Sequence, residues 1–475
     1  MHISEEAKSK GLIDNTFLEL NDNEYTRYPV TDILMDSITA IVCDKENSLS
    51  SSPSSFHGRL YINNVLRYSG IMHLDKRSTP EQQGNEVVVM LHNKLPPPTF
   101  DGVEELAAAT LSNISPIRAN YAVTDDYRAL VADLLVSLNL IQTQLNALEI
   151  ELRESTKSEE SLAVSLEYAV SYSMRVHEKD LQEIIKPLSD ITAAFSYEQH
   201  VEHKRFFRDA VGDVVAATPF VNRSIEKPLG YSGDYKMMLM LYDYQDIGES
   251  LFHQFFHRFV CSQPTAMANR NRIQYLSAVL RKKYAEAKQR GQNTFNISSI
   301  ACGPAREIYE FVKHIEFDSE CVVNIRLLDL EEKALGFAEQ SFSELDIVGK
   351  GVNISYIKTD AVVACLRETD DLSTIDDTDC LISAGLFDYL TERVSRKMIS
   401  VFCNRLRPNG SLLIGNINTT SPDIFSMGYF MDWELILRTP EDLLNLVDPE
   451  SINKAVTATV DAEPIGLNLF LRVDC

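Results

Sequence analysis

The feature that most constrains this chain is the regular alternation of apolar β-type segments and amphipathic helical segments from residue 293 onward. Alternation at this spacing predicts a parallel, doubly wound α/β sheet, which binds ligands at the carboxyl ends of its strands. Two β-rich segments, Lys454–Val460 and Gly466–Val473, end the pattern and predict an antiparallel hairpin on the sheet edge. The earlier strands are predicted at 297–301, 322–329, 352–358, 379–384 and 411–417, and the helices at 304–314, 331–343, 391–406 and 439–447.

A tight turn of small residues, Ala301–Ala305, separates the first predicted strand from the first helix. Gly303 lets the backbone approach a ligand, and Pro304 fits the first helical position. The helix start then presents backbone N–H groups and a partial positive charge. The second strand ends in Asp329, where an acidic residue can accept hydrogen bonds from a ribose. Together these residues predict a site for a nucleotide-type cofactor.

Composition excludes several classes of partner. The formal net charge is −24, from 45 Lys and Arg against 69 Asp and Glu, so we expect no binding to nucleic acid or anionic membranes. No segment approaches about 18 uncharged apolar residues, which predicts no membrane span. The N-terminus lacks the layout of a signal peptide. We therefore expect a cytoplasmic protein that handles small molecules or proteins.

The cysteines and histidines predict no metal site. Eight cysteines are scattered without a Cys-x-x-Cys pair, which argues against a disulfide framework or a zinc site and favours a reducing compartment. His253 and His257 stand four residues apart, but the Glu of a zinc-binding helix and a third ligand are missing. We interpret both histidines as structural.

Residues 293–475 resemble class I S-adenosylmethionine-dependent methyltransferases, a Rossmann-like α/β family whose sheet ends in an antiparallel hairpin. The family's first loop commonly reads Gly-Cys-Gly-Pro-Gly, and here alanine replaces both outer glycines. The bulkier loop is tolerable if neither Ala301 nor Ala305 needs a positive φ. Pro408–Gly410 matches the family's turn before the fifth strand. The resemblance implies S-adenosyl-L-methionine as the cofactor.

The resemblance also assigns residues to the cofactor site. It implies that Asp329 holds the ribose hydroxyls with Leu330 beside the adenine, and that Asp360 accepts the adenine amino group with Ala361 adjoining. The remaining implied cofactor contacts in this domain are Ala301, Cys302, Gly303, Pro304, Arg306, Glu307, Ala384, Gly385 and Leu386.

The segment after the fourth strand, Ser383–Tyr389, matches the family segment that lines the methyl-transfer cleft. Asp388 and Tyr389 are its best-placed polar candidates for catalysis. Met431 and Trp433 stand where the family usually places acceptor-pocket residues, although aromatic stripes more often form plain core. Methyl transfer needs alignment above all, and it needs a base only when the acceptor must lose a proton.

Two upstream segments, 227–235 and 268–272, resemble those that precede the core in a bacterial group that includes hydroxypalmitic acid methyl ester biosynthesis proteins. The first would close over the site, with Tyr231 as a catalytic and cofactor residue and Asp234 as a cofactor contact. The alternative is a plain helix-to-helix connection capped by Asp234. Arg270 and Arg272 could pair with a carboxylate, with Arg272 favoured as a cofactor contact, or could lie on a solvated helix face.

The chain is predicted to be multidomain, with an N-terminal segment (1–24), a small β-barrel-like domain (25–120), a helical domain (121–292) and the methyltransferase domain (293–475). The β domain faintly resembles PilZ domains through Arg27 and Asn64–Gly70. Its motifs are degenerate, so we expect absent or weak nucleotide binding. The helical domain carries a heptad stripe that either packs on its own chain or forms a homodimer through helix 125–153: Leu130, Leu134, Leu138, Ile141, Leu145, Leu148 and Leu152.

These observations favour a methyltransferase of a small-molecule acceptor, with the carboxyl group of a fatty or other organic acid as one candidate. The first alternative is a regulatory or scaffold protein with a vestigial methyltransferase core and a β domain that mediates assembly. A second alternative, an NAD(P)-dependent oxidoreductase, is disfavoured by the terminal hairpin.

Overall fold

The computed structural model describes residues 123–316, 320–347, 349–367 and 370–475, together with the backbone of six strands between residues 17 and 91. The chain divides into two compact units, Met1–Ala122 and Val123–Cys475. The finer division predicted from the sequence, with boundaries after residues 24, 120 and 292, stays a prediction.

The first unit contains a closed barrel of six antiparallel strands in the order β1-β2-β3-β6-β5-β4. The first strand lies within the segment predicted to precede the barrel, and it pairs with both β2 and β4. Arg27 lies in β2, whereas Asn64 lies outside the described residues. The PilZ resemblance and the weak nucleotide binding therefore stay predictions. The strands are β1 (Phe17–Leu20), β2 (Thr26–Leu34), β3 (Thr39–Cys43), β4 (Ser55–Ile62), β5 (Val65–Leu74) and β6 (Glu86–Leu91).

The second unit begins with seven helices: α1 (Asp125–Ser155), α2 (Glu159–Thr192), α3 (Tyr197–Val215), α4 (Pro219–Glu226), α5 (Tyr235–Asp243), α6 (Leu251–Ser262) and α7 (Pro264–Gln289). Thr124 caps α1 by accepting a hydrogen bond from the Tyr127 N–H. Leu134, Leu138 and Leu145 of the heptad stripe are buried in the core that α1 shares with the other helices of this layer. The stripe is therefore used within its own chain. A homodimer through α1 stays a prediction and would have to use its outer face, where Val136 and Leu140 are exposed.

The sequence pattern is helical over about 163–217 and 234–260, with a loop predicted around 219–233 between them, and the structure divides this region further. The first stretch divides before Ser196, which begins α3 with a reciprocal capping box to Gln199. The second divides at Tyr244, whose left-handed conformation ends α5. The predicted loop around 219–233 contains α4, which begins with Pro219 in its first turn. Among the described residues, none of the helices contains an apolar stretch long enough to cross a membrane.

The remainder of the second unit is a seven-stranded sheet in the order β12-β13-β11-β10-β7-β8-β9. Neighbours from β11 to β9 are parallel, whereas β13 runs antiparallel to both β11 and β12. The doubly wound α/β sheet and its terminal hairpin are thus present as predicted. The strands are β7 (Thr294–Ile300), β8 (Val322–Asp329), β9 (Val352–Lys358), β10 (Thr378–Ser383), β11 (Leu406–Ile417), β12 (Thr457–Ala462) and β13 (Asn468–Asp474), with α8 (Arg306–His314), α9 (Glu332–Ser343), α10 (Ala361–Arg367), α11 (Glu392–Arg405), α12 (Ile424–Tyr429) and α13 (Pro440–Asn445).

Several boundaries in this sheet differ from the prediction, and two of them lie at the predicted turns. Helix α8 begins at Arg306 with Ala305 as its N-cap, so Pro304 precedes the helix and does not occupy its first position. Strand β11 begins at Leu406, because the predicted turn 408–410 is absorbed into a register shift between its pairings with Thr378 and Cys380. Helices α10 and α12 were not predicted.

Two of the apolar cores in the described part of the second unit position the site. One lies between the sheet and helices α7, α8 and α9. The other joins helices α1 to α6 with residues 425–433, which follow β11 in the sheet region. Phe207 of α3 illustrates the junction, since its ring packs edge-on against Phe425 and Phe430. Helices α1 to α6 and residues 425–433 therefore form one core together.

Candidate functional site at the carboxyl edge of the sheet

The strand order places a crevice beside β7. The chain leaves β7 to form β8 and β9 on one side, then returns to form β10 and β11 on the other. Ligands of open α/β sheets bind where the order reverses, outside the carboxyl ends of the strands. We call the space beyond the carboxyl ends of β7, β8 and β10 the switch-point crevice. It is bordered by loop 301–305, the end of β8 and loop 384–389.

Loop 301–305 corrects one expectation from the sequence. Ala301, Gly303 and Ala305 all adopt the left-handed conformation, with φ values of 51°, 52° and 49°. Both alanines therefore occupy the backbone geometry that was expected to be avoided. A residue with a Cβ loses roughly 1–2 kcal/mol in this region. Such strain persists only where the surrounding structure enforces it, and it concentrates at functional sites.

Asp329 ties the loop to the tip of β8. Its carboxylate accepts hydrogen bonds from the N–H of Gly303 at 2.7 Å and of Glu331 at 2.8 Å. Burial raises the pKa of this carboxyl group, and the two N–H donors oppose the rise. Each oxygen keeps a further lone pair, so Asp329 can still accept hydrogen bonds from a ligand.

Asp360 stands at the end of the neighbouring strand. Its side chain accepts a hydrogen bond from the Val363 N–H at 2.9 Å and so begins α10, while the carboxylate stays half-buried. The connection to Asp329 is short, because the Thr359 N–H donates to the Asp329 carbonyl at 3.0 Å. Both predicted acids thus lie on the same edge of the sheet, on adjacent strands.

Arg272, from helix α7, lies under loop 384–389. Its guanidinium donates to the Ala384 carbonyl at 3.2 Å and to the Tyr242 hydroxyl at 2.7 Å. A Cβ on Gly385 would lie 3.2 Å from Arg272 Nη1, so the glycine makes room for the guanidinium. The Arg272 Nε–H is buried without a partner. Glu307, buried in the first turn of α8, is an electrostatic neighbour of Arg272.

The loop that carries Tyr231 approaches the crevice from the helical layer. Burial raises the pKa of the Tyr231 hydroxyl, and the nearby Asp329 carboxylate raises it further. Asp234 already has partners within the helical layer. Its carboxylate caps α5 by accepting hydrogen bonds from the Lys236 and Met237 N–H groups, and it pairs with Arg223 at 2.6 Å. Its role as a cap is established, and its contact with the cofactor stays a prediction.

Tyr389 joins this loop to Trp433. Its hydroxyl donates to the Ser232 carbonyl at 3.0 Å and accepts from the Trp433 indole N–H at 2.7 Å. Gly233 packs against the same two rings, since a Cβ there would lie 2.7 Å from Trp433 Cζ2. Burial raises the pKa of the Tyr389 hydroxyl, with the Asp388 charge adding to the rise. Tyr389 is therefore a neutral hydrogen-bonding group at neutral pH.

Asp388 is buried, with only 5% of its surface exposed. Its side chain accepts a hydrogen bond from the Ile417 N–H at 2.7 Å. Burial raises the pKa of this carboxyl group to about 7, while the Ile417 N–H, Arg272 and Arg438 oppose the rise. The Asp388 side chain thus joins the loop after β10 to the end of β11.

Several residues predicted for the site have other partners in the structure. Arg306 pairs with Asp243 at 2.8 Å and so fastens α8 to the end of α5. Met431 is buried in the helical core, and its carbonyl accepts a hydrogen bond from the Ser224 hydroxyl at 2.6 Å. Leu330 is 39% exposed beside Asp329. Cofactor or acceptor contacts of these three residues stay predictions, as they do for Cys302, Pro304, Ala361, Ala384 and Leu386.

Sequence reasoning missed two groups that shape the site. Tyr242 fixes the Arg272 guanidinium from α5, thirty positions away in the chain. Arg438 donates to the carbonyls of Phe387 at 2.7 Å and Leu390 at 2.6 Å. It therefore clamps the backbone on both sides of Asp388. Neither residue belongs to a recognisable motif.

His253 and His257 have ordinary structural partners. Nδ1 of His253 lies 2.9 Å from the Ser250 hydroxyl, and Nε2 of His257 lies 3.7 Å from the Cys261 thiol. Burial lowers the pKa of His257 to about 4. Within the described ranges, no group of His, Cys, Asp and Glu side chains is arranged to hold a metal ion.

Comparison with known proteins gives matches only among solved structures. No protein-family model matches the chain, and no curated protein does. A possible exported protein from Bordetella parapertussis is similar at 17% identity and a TM-score of 0.40, over 55% of this chain and 87% of that one. The CurJ carbon methyltransferase is similar at 13% identity and a TM-score of 0.37, over 76% and 99% of the two chains. Magnesium protoporphyrin IX methyltransferase from Synechocystis, solved with bound SAM, is similar at 11% identity and a TM-score of 0.31, over 44% and 83%.

Proposed function

We propose that the chain is an S-adenosylmethionine-dependent methyltransferase of a small-molecule acceptor, with the cofactor in the switch-point crevice. The observation that carries the proposal is the seven-stranded order with one antiparallel strand, combined with a strained small-residue loop after β7. S-adenosylmethionine supplies a methyl group on a positively charged sulfur. The chain must therefore bind the adenosyl and methionine parts and align an acceptor.

The residues along the crevice fit the adenosyl part of this cofactor. Asp329, at the tip of β8, keeps lone pairs for the two ribose hydroxyls although it already accepts two backbone hydrogen bonds. Asp360 follows the adjacent strand, and neighbouring strands lie about 4.8 Å apart. The adenine would therefore lie one strand further along the edge. The open space at Gly303, where an added Cβ would meet only Tyr235 Cβ at 3.9 Å, leaves room for the ligand.

The other side of β7 fits the methionine part. The methionine part ends in a positively charged amino group and a negatively charged carboxylate. Arg272 and Glu307 offer a buried cation and a buried acid near each other. The Arg272 Nε–H is buried without a partner, which matches a carboxylate acceptor. We assign Arg272 to the carboxylate and Glu307 to the amino group, with Tyr242 as the positioning residue of Arg272.

The acceptor side provides alignment and little base catalysis. The Tyr389 hydroxyl is neutral and engaged with Ser232 and Trp433, and the Asp388 carboxyl group is buried and accepts a hydrogen bond from the Ile417 N–H. An acceptor that is already an anion needs no proton removed. We therefore propose a carboxylate, such as that of a fatty or other organic acid, as the acceptor class.

Calorimetric titration with S-adenosylhomocysteine tests the cofactor assignment. Wild type should bind, and Asp329→Ala should lose most of the affinity because the loop loses its anchor and the ribose loses its acceptor. Glu344→Ala, at the end of α9, is the matched acidic control and should bind as wild type. Equal affinity of Asp329→Ala and wild type would contradict the ribose assignment.

The scaffold alternative predicts a different result. A vestigial core should show no heat with either S-adenosylmethionine or S-adenosylhomocysteine. The replacement of the two outer glycines of the loop by Ala301 and Ala305 is the one feature that favours that alternative. If the cofactor binds, a radiolabelled methyl donor offered with acids, amines and phenols identifies the acceptor class. Transfer to amines or phenols, with none to acids, would contradict the proposed carboxylate.

A further inference from the structure

The end of β13 brings two cysteines together on the side of the sheet that carries α11. Cys475 is fixed by its backbone, since its N–H donates to the Gly410 carbonyl at 2.9 Å and its carbonyl accepts from the Asn409 N–H at 2.8 Å. Its thiol donates to the Cys403 carbonyl at 3.9 Å, and the Cys403 thiol is its electrostatic neighbour. Cys403 itself is fully buried on α11.

A lysine places positive charge at this pair. Lys454 Nζ donates to the carbonyls of Cys403 at 3.2 Å and Asn404 at 3.0 Å, at the end of α11. The Cys403 thiol holds the pKa of the Cys475 thiol below its ordinary value, and Lys454 contributes to the lowering. The pKa of Cys403 moves the opposite way. Cys475 is therefore the more acidic thiol of the pair.

Cys475 differs from the other described cysteines in accessibility. Cys261, Cys302, Cys365 and Cys380 are buried, and burial raises the pKa of each thiol. Cys475 is half-buried, so a small oxidant can reach it. An accessible thiolate beside a second thiol is the arrangement that senses oxidants.

We propose that Cys475 and Cys403 form a redox-responsive pair that a hydroperoxide converts to a disulfide. The Cys475 thiolate attacks one oxygen of the hydroperoxide, the O–O bond breaks, and the product is a sulfenic acid with release of an alcohol or water. The Cys403 thiol then displaces that oxygen as water and forms the S–S bond. Two thiols lose two electrons, and the hydroperoxide gains them.

The disulfide would join the last residue after β13 to α11. Strand β13 pairs with β11, which follows α11 in the chain, so the bond would fasten the antiparallel edge of the sheet to the helix beside it. The pair lies apart from every residue assigned to the cofactor. The inference therefore does not depend on methyl transfer.

Peptide mass spectrometry of the full-length protein tests the pair. The reduced protein is treated with an equivalent of hydrogen peroxide near neutral pH, alkylated and digested. Wild type should yield a linked peptide that joins Cys403 to Cys475. Cys365→Ser, a buried thiol on α10, is the matched control and should form the same link. Free thiols at both positions, or a bond from Cys475 to a second copy, would overturn the proposal.

The two single variants test the order of events. In Cys403→Ala, the resolving thiol is gone, so Cys475 should accumulate a sulfenic acid that dimedone labels. In Cys475→Ser, Cys403 should stay reduced. This variant lacks the fastest-reacting thiol of the wild-type protein, so the fastest alkylation that remains at neutral pH should be about tenfold slower. Dimedone labelling of Cys403 in the Cys475→Ser variant would contradict the assignment of Cys475 as the attacking thiolate. Trp433 fluorescence confirms that each variant is folded.

Discussion

Restoring glycine at Ala301 should stabilise the protein, because the alanine sits at a φ of 51°. The left-handed conformation costs a residue with a Cβ roughly 1–2 kcal/mol. Glycine gives back about 0.5–1 kcal/mol through the greater freedom of its unfolded chain. Ala301 is exposed, so its methyl group contributes no burial. The net gain in the free energy of unfolding should be about 0.8 kcal/mol.

Ala305→Gly should behave differently although its φ is nearly the same at 49°. Ala305 is fully buried, and removing a buried methyl group costs about 0.8 kcal/mol before any cavity term. The relief of backbone strain and the loss of burial then cancel within a few tenths of a kcal/mol. Both substitutions replace alanine by glycine at nearly the same φ. The difference between their effects on the free energy of unfolding therefore measures the contribution of the buried methyl group.

Urea unfolding followed by tryptophan fluorescence measures the free energy of unfolding of both variants, in the structural unit that contains the loop. The sequence contains one tryptophan, Trp433, so the signal reports on Val123–Cys475 alone. Ala147→Gly, at an exposed position inside α1, is the control and should destabilise by about 1 kcal/mol. If Ala301→Gly destabilised the protein as Ala147→Gly does, the left-handed backbone at loop 301–305 would be wrong.

Three further outcomes follow from buried contacts. Gly233→Ala should destabilise by about 3 kcal/mol, because its Cβ would meet Trp433 at 2.7 Å and φ is 79°; an equally stable variant in urea would refute the packing of this loop. The pKa of Asp388 is raised to about 7, so its stabilising contribution is complete at low pH and is lost as pH rises through 7. Asp388→Asn should therefore gain about 3 kcal/mol over wild type between pH 5 and pH 8, and a gap that does not change with pH would contradict this. The pKa of His257 is lowered to about 4, so the free energy of unfolding of wild type should fall by about 3 kcal/mol relative to His257→Leu as pH falls from 6.5 through 4. His314→Leu is the control. Parallel pH profiles for wild type and His257→Leu would show that the ring is not buried.

The sheet was predictable because its signals are local and repeated. Each parallel strand is a short apolar run, and the acids Asp329 and Asp360 stand where two of those runs end. The two terminal segments lack a helix between them, which leaves only an antiparallel pairing. Strand ends share one edge of the sheet, so residues found by counting along the sequence also come together in space.

The missed elements have no periodic signal. Helix α4 has eight residues and lies in a segment with glycine and proline nearby, where a loop is the natural expectation. Helix α12 is apolar on nearly every side, so its pattern contains no polar face that would indicate a helix. Its residues other than Ile424 are buried because α2 and α3 of the helical layer pack against them, which is a tertiary effect.

The backbone of loop 301–305 could not be predicted because residue type alone does not determine φ. Glycine permits a left-handed conformation, but alanine does not forbid it when the ends of the loop are held. Here the Cys302 N–H donates to the Leu328 carbonyl at 3.1 Å, and Asp329 accepts from Gly303 at 2.7 Å. These anchors come from β8, and they impose the turn on whatever residues occupy it.

The two halves of the site are built by different parts of the chain. The loop after β7 and the acids at the ends of β8 and β9 belong to the sheet, whereas Trp433 and Met431 are buried in the core formed with α1 to α6. Asp432 between them is held by ion pairs with Arg208 and Lys227, both from the helical layer. Loss of these ion pairs should therefore disturb the acceptor side, while the loop, the two acids and Arg272 keep their own contacts. Replacing Arg208 with alanine should shift KM for the acceptor and leave the affinity for S-adenosylhomocysteine unchanged, and an equal loss of both would show that the two halves are not separable.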